Sequence, residues 1–105
     1  MPLPDEEVVS DALHFISESD TSYAAACAAY TVAKEGLKIA KASAMPDTGT
    51  VAEREKQAIL SDEYQQAIKK LGHAEYEKTY LYLKRESQIL NIDVWRSLNA
   101  NQRRS

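Results

Sequence analysis

The side chains that most often carry chemistry are sparse and scattered in this chain. It has one cysteine, Cys27, and two histidines, His14 and His73. A cysteine nucleophile needs a neighbouring base and a polarised thiol. Cys27 sits in Tyr-Ala-Ala-Ala-Cys-Ala-Ala-Tyr, an apolar setting that suits a small packed residue. A metal centre needs ligands gathered at coordinating distance. His14, beside Phe15, and His73, after Gly72, fall on different predicted helices, and neither opens a metal-binding helical spacing. Glu53/Glu55 and Glu75/Glu77 are two residues apart, which sends each pair to different sides of a helix and not to one acid–base site. Gly36, Gly49 and Gly72 are isolated, so no glycine-rich phosphate loop is present. The sequence therefore predicts no enzyme, no metal, no cofactor and no small-molecule substrate.

The remaining chemistry is charge and aromatic surface. Net charge is −3, but it is unevenly spread. Residues 1–20 carry Asp5, Glu6, Glu7, Asp11, Glu18 and Asp20 with no Lys or Arg, so the rest of the chain is net basic. Lys34, Lys38 and Lys41 recur at helical spacing, Lys69, Lys70, Lys78, Lys84 and Arg85 follow, and after Asp93 the charged side chains are Arg96, Arg103 and Arg104. Proteins that hold single-stranded nucleic acid combine a basic track with aromatic faces for base stacking. Tyr76, Tyr80, Tyr82 and Trp95 are the aromatics available for that. The competing reading is ordinary: tyrosines at helical spacing pack in cores and interfaces, and each Lys of the last helix has an acid within four residues.

These residues must be positioned by helices. With three glycines and three prolines in 105 residues, breakers are few, and length and pattern indicate a single domain, 1–105. Pro4 suits the start of an acidic N-terminal helix over 1–20, with Asp5, Glu6 and Glu7 in its first turn, an apolar stripe from Val8 to Ile16 and an end near Ser17–Ser19. Asp20 or Thr21 then caps a second helix over 21–44. Its seam alternates bulky Tyr23, Tyr30 and Leu37, ending at Ala44, with Ala26, Ala33 and Ala40, which allows close approach of a neighbour. Met45-Pro46-Asp47-Thr48-Gly49 reads as a loop, placed at 45–50. Thr50-x-x-Glu53 matches a capping box for a short helix over 51–60. Ser61 offers a fresh cap for a long helix over 62–98, about 55 Å at the ordinary rise, although the two helices can also merge across it. One of its stripes is Tyr64, Ile68, Leu71, Ala74 and Leu81; another is Tyr76, Tyr80, Leu83, Leu90, Val94 and Leu98. Gly72 and Asn91-Ile-Asp93 are its weak points. Residues 99–105 read as a frayed basic tail.

The fold class that follows is all-α: a long antiparallel helical hairpin with short accessory helices. Apolar residues on more than one face of the long helix, with much of the apolar content supplied by alanine, predict a homo-oligomer. The lone cysteine fits a reducing cytoplasm, and no apolar run is long enough for a membrane.

Gly49-Thr-Val-Ala-Glu-Arg-Glu55 followed by Ala58 and Ser61-x-x-Tyr64, then the long charged helix, then Trp95-Arg-Ser-Leu-Asn-Ala100, resembles a group of small helical proteins encoded in phage and prophage recombination and replication clusters. The order of features over residues 21–104 is also similar to the bacteriophage recombination mediators of the UvsY type. That resemblance implies a helical oligomer in the cytoplasm of a bacterial host, which binds single-stranded DNA and assists recombination proteins. With the charge split, it makes Lys34, Lys38, Lys41, Lys84, Arg85, Arg96, Arg103 and Arg104 the expected phosphate contacts. The alternative reading is a protein-interaction module, such as an inhibitor of a host nuclease or a phage assembly adaptor, whose acidic leader imitates DNA. A structural phage component is a third.

Overall fold

Ser19 and Asp20 decide how this chain starts. In the computed structural model, which describes residues 4–104 and the side chains of 4–102, three helices follow one another. They are α1 (Glu6–Ala44), α2 (Val51–Leu60) and α3 (Asp62–Arg104), with no strand among the described residues. The all-α class is as expected. The expected division of the first 44 residues into helices over 1–20 and 21–44 is not: α1 runs unbroken. The serines and Asp20 are poor helix formers, but neither glycine nor proline stands among them, and their polar groups find uses other than capping. Ser19 Oγ donates to the Ile16 carbonyl at 3.3 Å, and the Asp20 carboxylate accepts from Arg85 on α3. One accessory helix therefore remains, α2.

Asp5 caps α1 and does not belong to its first turn. Its carboxylate accepts from the Val8 amide at 2.9 Å, leaving Glu6 and Glu7 as the acids against the helix dipole. The other end of α1 stops before Pro46, whose ring cannot follow an α-helical residue. Gly49 then turns the chain at φ +108, a conformation in which an added Cβ would stand 3.1 Å from Glu53 Oε2. The capping box is formed: Thr50 Oγ1 accepts from the Glu53 amide at 3.2 Å and Glu53 Oε2 accepts from the Thr50 amide at 3.3 Å. Arg54 Nε donates to the Pro46 carbonyl at 2.6 Å, fastening the loop to α2.

Ser61 separates α2 from α3, so the two do not merge. Its backbone is extended (φ −69, ψ 151), and its hydroxyl accepts from the Tyr64 amide at 3.2 Å while donating to the Ala58 carbonyl. From there α3 continues through Gly72, through Asn91–Asp93 and past Leu98. The stretch expected to be a frayed tail from 99 is helical to Arg104. Ile92, between the suspected breakers, is buried and pins the helix there. Ser105 lies outside the described residues, as do Met1, Pro2 and Leu3 of the acidic leader.

Contacts gather the chain into two compact units. One joins α1 up to Ala24 with α3 from Thr79 onward; the other comprises Ala25–Lys78. In the first, Val9, Ala12 and Ile92 form the core, with Ile16 and Trp95 packed on it, and the two segments run antiparallel. Moving along α1, Ser19 meets Arg85 and Tyr23 meets the edge of Tyr82, ring centroids 6.4 Å apart. In the second unit the α1 seam of Ala26, Tyr30, Ala33, Leu37, Ala40 and Ala44 is half-buried or buried, and so are Tyr64, Ala67, Leu71, Ala74 and Lys78 of α3. The seven-residue spacing of both rows is that of a coiled-coil seam. Among the described residues, those at 0% exposure are alanines, Ala12 and Ala58. Helices approach closely at such positions, but little large apolar surface leaves water.

Candidate interaction surface

The candidate basic residues fall into separate settings. In the second unit, Lys34 lies 5.5 Å from the centre of the Tyr30 ring, Lys38 Nζ is 3.3 Å from Glu35 Oε1, and Lys41 is half-buried in the last turn of α1. Tyr30 also receives Lys78, at 4.3 Å. The Lys38–Glu35 pair is exposed on both sides and contributes little to stability. In the first unit, Lys84 stands 4.7 Å from the Phe15 ring centre, and Arg96 is exposed. Lys84 and Arg96 are twelve residues apart and about 120° apart around α3, so they do not line one track. The side chains of Arg103 and Arg104 lie outside the described residues.

Arg85 is turned toward α1. One guanidinium nitrogen donates to the Ile16 carbonyl at 3.0 Å and to Ser19 Oγ at 2.7 Å; the other donates to Asp20 Oδ1 at 2.7 Å. Its plane lies over Tyr23, 5.2 Å from the ring centre, and its side chain is 20% exposed. The rigid fork of arginine suits such a three-acceptor site, and a lysine would not reproduce it. This contact was not anticipated from the sequence. A signal for it exists: Arg85 occupies the same heptad position as Tyr64, Leu71, Lys78 and Ile92, so an inward-facing arginine needs acceptors on the opposite helix.

Among the described residues, no three His, Cys, Asp or Glu side chains converge as a metal site would require. His14 and His73 each face a glutamate four residues on, Glu18 at 3.1 Å and Glu77 at 3.9 Å, on open surface. Cys27 is a half-buried free thiol, and its carbonyl accepts from the Thr31 hydroxyl at 3.2 Å. No helix among the described residues is long and apolar enough to cross a membrane.

Two apolar surfaces stay open. In the second unit, α1 and α3 bound a groove of about 870 Å³, floored by Ala33, Gly36 and Ala40 and rimmed by Val32 and Ile39 on one side and by Lys69, Lys70 and His73 on the other. In the first unit, the side of α3 turned away from α1 presents Tyr80 at 50% exposure, Leu83 at 60% and Leu90 at 59%, with Ser87 between them. This row belongs to the second apolar stripe of the long helix, and within this unit it is largely uncovered.

Compared with protein-family models, with curated proteins and with solved structures, the chain matches none of them.

Proposed function

We propose that this chain is a non-enzymatic helical interaction protein whose outer α3 face receives a helix of another polypeptide. The observation that carries this reading is the row Tyr80, Leu83 and Leu90, exposed and at coiled-coil spacing on a helix already ordered by its opposite face. Helix-in-groove and helix-on-helix recognition both read such a row as anchor positions. A photo-crosslinking residue at position 90 tests it in the cell that makes the protein. Covalent adducts with a polypeptide are expected, and their absence, with the chain folded, would contradict the reading.

A second reading is an accessory for single-stranded DNA in phage recombination. The exposed lysines Lys34 and Lys38 on one helix and Arg96 on another support it, together with the resemblance to mediator-type phage proteins. Fluorescence anisotropy with a labelled single strand decides: phosphate contacts give binding that falls steeply with added salt, and no binding at tens of micromolar protein in low salt removes this reading.

A further inference from the structure

We infer that the outer face of α3 pairs with the same face of a second copy, as a parallel, in-register two-stranded coiled coil over residues 80–97. The inference rests on the reading of that face as an interaction surface and names its occupant. Assigning heptad positions to the open row places Tyr80, Ser87 and Val94 at a and Leu83, Leu90 and Ser97 at d. Leucine at d with a β-branched residue at a favours two strands, and a polar residue at a single a position, here Ser87, fixes register at some expense of stability. The inward contacts of the same segment, Arg85, Ile92 and Trp95, lie on the opposite side of the helix. A second copy can therefore approach without disturbing α1.

Flanking charge selects the direction. In a parallel pair each g residue faces the e residue five further along the partner helix. Thr79 then meets Lys84, and Glu86 meets Asn91, with no like charges opposed. An antiparallel pair that keeps the same layers (Leu83 on Val94, Ser87 on Leu90) sets Glu86 against Asp93 twice, which is unfavourable. The a, d and flanking stems of two copies bury on the order of 1,000 Å², the size at which specific interfaces begin. The first unit has reason to use that surface, since its own core holds Val9, Ala12 and Ile92 and few larger side chains.

Disulfide trapping tests both occupant and direction. In a Cys27→Ser chain, Leu83→Cys places thiols face to face only in the parallel pair. Mild oxidation is expected to give a covalent dimer of unchanged helicity, at least tenfold more than Lys56→Cys on exposed α2. Equal linking at the two positions would overturn the inference, as would a Leu83→Cys chain that stays single. So would a mixture of Leu83→Cys and Val94→Cys chains that links 83 to 94 in preference to 83 to 83. If position 90 crosslinks a different polypeptide while Leu83→Cys does not self-link, the second-copy inference falls and the interaction reading stands.

Discussion

The two sides of α3 between Thr79 and Leu98 share a period and differ in everything else. The inner side places Leu81, Arg85, Gln88, Ile92 and Trp95 at alternating steps of four and three, all half-buried or buried against α1 in the first unit. The outer side places Tyr80, Leu83, Ser87 and Leu90 at the same steps and leaves them mostly in water. Apolar content does not separate them, because the covered side is the one holding an arginine and a glutamine. What separates them is complementarity. Arg85 finds a carbonyl, a hydroxyl and a carboxylate waiting on α1, and Ile92 finds Val9 and Ala12. The outer row has no such counterpart within its unit.

That contrast can be broken from the inner side first. Ile92→Ala removes a branched side chain from the core and should cost about 2–4 kcal/mol in urea unfolding. A loss below about 1 kcal/mol would mean the inner seam is not what holds this unit. Arg85→Ala should cost about 2–3 kcal/mol, because Ser19 and the Ile16 carbonyl lose a charged partner inside the contact. Asp20→Asn should cost no more than about 1 kcal/mol, since that carboxylate is 64% exposed and water screens it. If the two changes had equal effects, the salt bridge and not the inward hydrogen bonds would be the main contribution.

Away from α3, Gly49→Ala sharpens the comparison as a control on local geometry. The positive φ and the 3.1 Å approach to Glu53 predict a loss of about 1 kcal/mol in the same unfolding assay, with association unchanged. The smallest stability effect is expected on the outer side. Leu83→Glu with Leu90→Glu should leave single-chain stability within about 0.5 kcal/mol of the parent while abolishing self-association. Circular dichroism checks the first half and light scattering the second.

Much of the fold was legible from short-range pattern. Thr50-x-x-Glu53 announced its cap, Pro46 and Gly49 marked the loop, and the α1 seam from Tyr23 to Ala44 is covered as its spacing implied. The break expected at Ser17–Asp20 failed because local propensity cannot see a partner more than sixty residues away: Arg85 takes the side chains that would otherwise have capped a new helix. The end of α3 was misjudged for a related reason. A polar sequence after Leu98 looked frayed, yet Leu98 and Asn99 remain half-buried and the helix carries on. For the site, the outer stripe was readable as a second apolar face, whereas its occupant was not, since periodicity reports that a face will be covered without saying by what. Arg85 was read among the surface bases because charge alone does not reveal the direction a side chain takes.

Sedimentation equilibrium of the unmodified chain, from low micromolar to several hundred micromolar, tests the central claim most directly. The account predicts a reversible monomer–dimer equilibrium that Leu83→Glu with Leu90→Glu shifts entirely to the single chain. A single-chain mass across the whole range, or a dimer indifferent to those two substitutions, would contradict it.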